Sequence, residues 1–221
     1  MVDRVGPFLN TMFSIRKLTV HLKGMTEFMS TPWRPPPLTG FVLAGGNSTR
    51  MGQDKALLDW RGRTMLDHMS DLLRSVADPV HVVGRDALPD RLPACGPLSG
   101  IATALETTST DANIIVAVDL PHLTRDFLKY LKPRLENSSH ALLACRIGAD
   151  YPLCLGIWRP MLPEITRLLA AGQLSIRGMI ENSSAEIISE NELLRAGFTA
   201  AMFKNINTPD DYGRPLPPAK N

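Results

Sequence analysis

A glycine-rich turn followed by two cations is the segment of this sequence best suited to chemistry. It reads Leu43-Ala44-Gly45-Gly46-Asn47-Ser48-Thr49-Arg50-Met51-Gly52-Gln53-Asp54-Lys55. Glycines let backbone N–H groups approach an anion closely, and Arg50 and Lys55 can neutralise a polyphosphate. The spacing fits neither a Walker A loop, which needs Gly-Lys-Ser/Thr, nor a GxGxxG turn. From the residues alone, an ordinary turn with two solvated cations stays open beside a phosphate site.

A single carboxylate, Asp119, follows the clearest buried strand of the sequence, residues 114–118. In a sheet of parallel strands, ligands bind beyond the carboxyl ends of the strands. The sequence therefore predicts that the Asp119 carboxylate is held over this ligand crevice. A helix cap or turn aspartate is the alternative. His68, His81 and His122 have no metal-ligand spacing and are interpreted as structural or surface residues.

Strands and helices alternate over most of residues 39–200, which predicts an α/β fold with a mostly parallel sheet covered by helices on both faces. Strands are predicted at residues 41–44, 80–83, 114–118, 141–145 and 153–158. Helices are predicted at residues 64–77, from 96 to 105, after the cap Thr124, from 160 to 169, at 175–181 and at 190–195. Gly45, Gly84 and Asp119 fall at strand ends, where a ligand crevice is expected.

Residues 1–38 differ in character from the rest of the chain, since they are rich in methionine and basic residues and contain Pro35-Pro36-Pro37. Their apolar residues follow no clear period, so we expect a disordered extension or an upstream start codon, with a transit peptide as the alternative. Residues 39–213 are expected to form a single domain, and residues 214–221 a loose, proline-rich tail.

The composition argues against several classes of protein. Lys and Arg total 24 against 22 Asp and Glu, so the bulk charge favours neither nucleic acid nor an anionic membrane as a partner. The apolar runs stay well below the roughly 18 residues of a transmembrane helix. Cys95, Cys145 and Cys154 form no CxxC pair, which argues against disulfides and structural zinc. We therefore expect a cytoplasmic protein whose cysteines are small core residues.

The full glycine-rich string resembles the signature of nucleotidyltransferases that activate sugars, alcohols and cofactors: Leu-Ala-Gly/Ala-Gly, then Arg-Met-Gly, then Lys. Leu-Ala-Gly-Gly followed by Asp54-Lys55 resembles the molybdenum cofactor guanylyltransferases, whereas relatives that use CTP or UTP more often have alanine where Gly45 stands. Three further segments resemble motifs of the same family, in order: Asp90 with Gly96-Pro97-Leu98-Ser99-Gly100, Val118-Asp119-Leu120-Pro121, and Asn205-Ile206-Asn207-Thr208-Pro209-Asp210-Asp211. The resemblance spans about residues 39–212.

This resemblance implies a Rossmann-like, nucleotide-diphospho-sugar-transferase fold and assigns roles to particular residues. Lys55 would stabilise charge on the leaving pyrophosphate, Asp119 would ligate Mg²⁺, and Arg50 would either help Lys55 or only brace the loop. The nucleotide would be bound by Leu43, Ala44, Gly45, Lys55, Asp90 and Asp119. The backbone of the first three would contact the guanine and the ribose, whereas for Asp90 a nucleoside contact and an ordinary loop charge are both open.

The activity implied is transfer of GMP from GTP to the phosphate of molybdenum-molybdopterin, with Mg²⁺ as cofactor and pyrophosphate as the second product. The family places Asn207, Thr208 and Pro209 near the pterin, although an Asx turn accounts for these residues nearly as well. Members of the family often have asparagine at the end of the strand that ends here at Gly84, so this nucleotide contact is not carried over.

Two other functions stay open. A CTP- or UTP-dependent enzyme would act on the same pterin or on a sugar phosphate. A non-catalytic protein would bind the molybdenum cofactor and deliver it, although a silent protein has no need of Arg50, Lys55 and Asp119 together. Besides the two small-molecule substrates, we expect transient contact with molybdoenzymes or their chaperones, and neither nucleic acid nor a membrane as a partner.

Overall fold

The computed structural model describes residues 37–45, 54–85, 88–89 and 96–206. These ranges all fall within one compact unit of the chain, Pro36–Asn221. Several sequence predictions concern residues outside the described ranges and stay predictions. They are the extension up to residue 36, the tail 214–221, and the individual residues Arg50, Asp90, Cys95, Asn207, Thr208 and Pro209.

The described residues form strands and helices in alternation, joined by short 3₁₀ turns. The strands are β1 (Leu38–Leu43), β2 (Val80–Val83), β3 (Ala112–Ala117), β4 (Leu142–Arg146), β5 (Cys154–Trp158) and β6 (Ala185–Ser189). The helices are α1 (Met65–Leu73), α2 (Pro97–Thr107), α3 (Arg125–Asn137), α4 (Leu162–Ala170), α5 (Ile176–Asn182) and α6 (Glu190–Arg195). The predicted strands and helices are all present with small shifts in their bounds, whereas β6 and the 3₁₀ turns Lys55–Leu57, Arg159–Met161 and Ala200–Phe203 were not predicted.

Hydroxyl side chains set the starts of four helices. Thr64, Thr124, Ser175 and Ser189 each accept a hydrogen bond from the backbone N–H group three residues further on. Such caps satisfy N–H groups that the first helical turn leaves without a partner, which stabilises a helix by about 1 kcal/mol. The sequence therefore fixes these boundaries locally, and the predicted cap at Thr124 is confirmed.

The sheet has the strand order β2-β1-β3-β5-β4-β6. β1 is parallel to both β2 and β3, and β4 is parallel to β6, while β5 runs antiparallel between β3 and β4. Parallel neighbours need crossover connections, and α1 and α2 supply them for the first three strands. The predicted mixed, mostly parallel sheet is confirmed.

Helices cover both faces of the sheet. Side chains alternate between the faces along each strand. Val42 and Ile114 pack on the side of α1, α3 and α6, whereas Phe41 and Ile115 pack on the side of α2, α4 and α5. This is the predicted three-layer α/β/α arrangement. Within the described ranges, no helix has both the length and the apolar composition needed to cross a membrane.

The carboxyl ends of β1, β2 and β3 meet at one edge of the sheet. Leu43 is in register with Val83 on one side and with Ala117 on the other. Beyond the strands, the Ala44 N–H group donates to the Val83 carbonyl at 2.9 Å. Gly84 then passes so close to Gly45 that a Cβ atom on Gly84 would lie 2.3 Å from the Gly45 Cα atom. The glycines predicted to line a crevice therefore lie side by side.

Replacing Gly84 by alanine should destabilise the fold strongly, and Gly197→Ala is the matched control. Both glycines have a φ of +87°, but a Cβ atom at Gly197 would meet nothing within 4 Å. Both variants lose about 1–2 kcal/mol to backbone strain, and Gly84→Ala should lose about 1–3 kcal/mol more through overlap with Gly45. Urea unfolding measures the two losses, and equal losses would contradict the close approach of Gly84 to Gly45.

Candidate active site at the carboxyl edge of the sheet

Lys55 is held by a short 3₁₀ turn, Lys55–Leu57. Asp54 caps this turn, because its side chain accepts a hydrogen bond from the Ala56 N–H group at 3.1 Å. Ala56 is completely buried, so the turn is anchored in the core on one side. These two contacts fix the backbone from which the Lys55 side chain extends.

A second contact ties the same turn to the end of β2. Both carboxylate oxygens of Asp54 accept hydrogen bonds from the guanidinium of Arg85, the residue that follows Gly84. The hydrogen bonds from Arg85 lower the pKa of Asp54 below its ordinary value. Bidentate pairs of this kind fix geometry as well as charge. The sequence analysis assigned no role to Arg85, because the pairing joins residues 31 positions apart.

Lys55 and Asp119, two residues predicted separately, form an ion pair across this edge. The Lys55 Nζ atom lies 3.5 Å from the Asp119 Oδ2 atom. Their side chains are 21% and 20% exposed, so both charges are largely withdrawn from water yet reachable. The geometry places a cation and a carboxylate together beside the glycine-rich turn that follows β1.

Asp119 is a carboxylate in an unfavourable environment. Burial raises its pKa above the ordinary value, and the positive charge of Lys55 opposes that shift without cancelling it. A partly desolvated carboxylate gains free energy from any further cation that reaches it. An oxygen ligand with this property fits Mg²⁺, which takes carboxylate, phosphate and water oxygens. Among the described residues, no group of three or more His, Cys, Asp or Glu side chains is placed to hold a metal.

The turn after β1 presents backbone rather than side chains. Leu43 and Ala44 are buried, and the exposed part of the turn begins at Gly45. The Leu43 carbonyl accepts from the Val118 N–H group at 3.0 Å, and the Ala44 N–H group donates to β2. Leu43 and Ala44 therefore hold the turn in place, and Gly45 is the member of the predicted trio that solvent reaches.

The start of the C-terminal motif is bonded directly to Asp119. The Ile206 N–H group donates to the Asp119 carbonyl oxygen at 3.0 Å. Ile206 is buried and packs with Trp60 and Met65. The resemblance assigned this motif to the pterin, and Ile206 is its last described residue. Its contact with the backbone of Asp119 was not predicted, because nothing local in the sequence signals it.

Two cationic side chains, Arg61 and Lys204, lie near the rings of Trp60 and His122. The Arg61 guanidinium carbon lies 5.4 Å from the centre of the Trp60 ring, and the His122 ring meets Trp60 edge-on at 5.0 Å. Burial lowers the pKa of His122, and the nearby positive charges of Arg61 and Lys204 lower it further. Such a concentration of positive charge favours an anionic ligand.

The described cysteines play no part in this site. Cys145 and Cys154 are free thiols in the core, as the sequence analysis predicted. Burial raises the pKa of the Cys145 thiol to about 12, and it raises that of Cys154 as well. Because the thiolate is the reactive form, neither residue is suited to act as a nucleophile.

Comparison with known proteins agrees with this geometry. Residues 40–187 match the family of MobA-like NTP transferase domains. A molybdenum cofactor guanylyltransferase of Xanthomonas euvesicatoria pv. vesicatoria (strain 85-10) is 36% identical over 189 residues, which cover 80% of this chain and 94% of the relative. A probable molybdenum cofactor guanylyltransferase of Carboxydothermus hydrogenoformans is 33% identical, over 81% of this chain and 95% of the relative.

Solved structures share the fold. Molybdopterin-guanine dinucleotide biosynthesis protein A from Archaeoglobus fulgidus has a TM-score of 0.68 at 21% identity, covering 79% of this chain and 94% of that one. The 2-C-methyl-D-erythritol 4-phosphate cytidylyltransferase from Thermus thermophilus has a TM-score of 0.55 at 14% identity, covering 78% and 94%. At these identities the likeness concerns the fold alone, and it confirms the predicted nucleotidyltransferase fold.

Asp119→Asn should leave the protein at least as stable as the wild type near pH 7. The folded-state pKa of Asp119 is raised above the ordinary value of 3.8. The ionised carboxylate therefore lowers the stability of the folded protein at neutral pH. This loss of stability disappears as the pH falls through the folded-state pKa towards the ordinary value. Asp54→Asn is the contrast, because Arg85 lowers the pKa of Asp54. Asp54→Asn should lower the melting temperature by about 2–4 °C, the shift expected for a loss near 1 kcal/mol.

Thermal unfolding between pH 4 and pH 8 measures both effects. The Asp119→Asn curve should lie at or above the wild-type curve at pH 8 and approach it at the acid end. An equal loss of stability in the two variants at pH 8 would contradict the opposite environments of the two carboxylates.

Proposed function

The chain belongs to the family of MobA-like NTP transferase domains, and from this premise we propose that it transfers GMP from GTP to the phosphate of molybdenum-molybdopterin, releasing pyrophosphate. The observation that carries the proposal is the ion pair between Lys55 and Asp119, 3.5 Å apart beside the glycine-rich turn. The proposal takes its substrates from relatives whose names describe this activity and which align over most of the chain.

In the proposed reaction, an oxygen of the acceptor phosphate forms a bond to the α-phosphorus of GTP. The bond from that phosphorus to the oxygen bridging the α- and β-phosphates breaks, and pyrophosphate leaves with the electron pair. A phosphate monoester is already largely anionic near pH 7, since its second pKa is about 6. The nucleophile therefore needs no strong base, and the task of the protein is to hold two anions together.

Lys55 meets this need on the nucleotide side. Its ammonium group, fixed by the turn that Asp54 caps, would offset negative charge that grows on the leaving pyrophosphate. The charge is worth more here than in water because the Lys55 side chain is only 21% exposed. The backbone of Gly45, which has no Cβ atom, would approach the nucleotide closely.

Asp119 is proposed as the protein ligand of Mg²⁺. Its raised pKa and partial burial make its carboxylate a favourable place for a cation. When bound, Mg²⁺ supplies positive charge that offsets the charge of the phosphate oxygens. Asp119 would hold the ion at the strand end. The peptide groups around Asp119 are fixed by the bond from Val118 to Leu43 and by the bond from Ile206 to Asp119.

The cationic surface around Trp60 supports an anionic acceptor. Arg61 and Lys204 lie near Trp60 and His122, and Trp60 packs with Ile206, whose N–H group is bonded to the Asp119 carbonyl. The repulsion between the two cations decreases when an anion such as a phosphate monoester lies between them. We also propose a cytoplasmic location, since the buried free thiols of Cys145 and Cys154 suit a reducing compartment. Transient contact with molybdoenzymes or their chaperones stays part of the proposal.

Lys55→Ala should lower the turnover number for pyrophosphate release by about 100-fold or more, because an electrostatic contact made to the transition state is lost. The melting temperature should fall by only a few degrees, because Lys55 is not in the core and only the partial compensation of the Asp119 charge is lost. Lys129→Ala is the control, because Lys129 is an exposed lysine, 63% accessible, on α3. Near-normal turnover of purified Lys55→Ala would overturn the assigned role of Lys55.

The base specificity is tested by pyrophosphate release with Mg²⁺ and molybdenum cofactor in the presence of GTP, CTP, ATP or UTP. We expect release with GTP alone. Release with CTP instead would keep the mechanism and change the base. Tight cofactor binding without release from any of the four triphosphates would contradict an enzymatic role and favour a delivery protein.

A further inference from the structure

The peptide segment that carries Asp119 is held by three hydrogen bonds from distant parts of the chain. The Val118 N–H group donates to the Leu43 carbonyl at 3.0 Å, and the Asp119 carbonyl accepts from the Ile206 N–H group at 3.0 Å. The third bond joins the Pro121 carbonyl to the Nε2 atom of His68 at 2.9 Å. His68 is therefore the contributor that acts through its side chain, which makes its contribution separable by mutation.

The contacts of His68 fix its protonation state. Its Nδ1 atom lies 2.8 Å from a terminal nitrogen of the Arg63 guanidinium. A guanidinium only donates hydrogen bonds, so Nδ1 must accept, and the ring proton must be on Nε2. A proton on Nε2 is what the Pro121 carbonyl needs. The two contacts together select a neutral imidazole with its proton on Nε2.

Lys55 and His68 belong to one continuous piece of structure. After the Lys55–Leu57 turn, the Met65 N–H group donates to the Leu58 carbonyl at 2.9 Å, and a β-bridge joins Asp59 to Thr64. α1 starts immediately afterwards and carries His68 on its first turns. The bond from His68 to Pro121 thus links the piece that carries Lys55 to the segment that carries Asp119.

We propose that His68, as the neutral Nε2–H tautomer, is a positioning residue that holds Asp119 in place opposite Lys55. The proposal rests on the proposed function, because it takes Asp119 and Lys55 as the pair that handles metal and phosphate. His68 contacts no reacting atom. It acts through the backbone of Pro121, two residues beyond Asp119.

The surroundings of His68 favour its neutral form. Burial lowers its pKa, and the charges of Arg63 and Arg61 lower it further, whereas the hydrogen bond to Pro121 and the charge of Asp71 act in the opposite direction. The Trp60 ring, with its centre 6.2 Å from that of His68, and His122 complete this environment. Protonation of Nδ1 would direct an N–H group at the Arg63 guanidinium, so the arrangement should loosen as the pH falls below 6.5.

The test compares His68→Gln with His68→Asn. A glutamine amide nitrogen reaches about where Nε2 lies and can still donate to Pro121, whereas asparagine reaches only the position of Nδ1. His68→Asn should lower the turnover number for GTP-dependent pyrophosphate release by about 10- to 100-fold, the effect of a misplaced catalytic group. His68→Gln should stay within about threefold of the wild type and lose activity less steeply below pH 6.5. Equal turnover in all three proteins would overturn the proposal.

Hydrogen exchange gives a readout that does not depend on turnover. The Val118 amide donates to Leu43 and the Ile206 amide donates to Asp119, so both bonds join the segment that His68 holds to the rest of the chain. Their exchange should be about tenfold faster in His68→Asn than in His68→Gln. The Trp158 amide at the end of β5, bonded to the Ala141 carbonyl at 2.9 Å, serves as the control for global loosening. Unchanged exchange at Val118 and Ile206 would overturn the positioning role.

The imidazole ¹⁵N signals of His68 report its tautomer directly, and a proton on Nδ1 in the metal-free protein at pH 8 would also overturn the proposal. These spectroscopic outcomes are independent of the proposed function. If the wild-type protein released pyrophosphate from none of the four triphosphates, the proposed function would be wrong. Hydrogen exchange and the ¹⁵N signals would still test the role of His68.

Discussion

The partly buried carboxylate of Asp119 is the constraint on which the architecture of this site depends. Burial raises its pKa, so the folded protein holds a charge that it would hold more easily in water. Such an unfavourable arrangement persists only where the surrounding structure holds it. Here the flanking peptide groups are bonded to β1, to Ile206 and to His68, and the one described cation beside the carboxylate is Lys55. These hydrogen bonds at the edge of the sheet hold the ionised Asp119 carboxylate in its partly buried position.

The close packing of strand ends at this edge also accounts for the glycines of the turn after β1. β1 lies between β2 and β3, so the peptide that leaves β1 must pass between the ends of both neighbours. Gly84 leaves room for Gly45, and a side chain at residue 84 would occupy the space of that turn. This contact gives a physical reason for glycine at a strand end where the resemblance implied asparagine. An asparagine side chain at residue 84 cannot coexist with this approach of the two backbones.

Sequence reasoning found what is encoded locally. The hydrophobic pattern and the caps identified the helices and five strands, and the glycine string and the strand end singled out Lys55 and Asp119 as candidates, because each signal lies within a few residues. It missed β6, a short edge strand of mostly half-buried residues without clear alternation. It also missed the Asp54–Arg85 pair and the hydrogen bond from His68 to Pro121, whose partners lie 31 and 53 positions apart. Such pairings are decided by tertiary packing, which one sequence does not display.

Two aspartates near Lys55 illustrate how stability and function divide in this site. Asp54 is satisfied by Arg85 and by the turn that it caps, so its charge favours the folded state. Asp119 is only partly compensated, so its charge opposes folding and favours whatever cation arrives. A site built only for stability would pair both carboxylates equally well. The unequal pairing leaves the negative charge of Asp119 only partly compensated at the strand end, beside the exposed backbone of Gly45. Under the proposed function, a metal–triphosphate complex would compensate that charge.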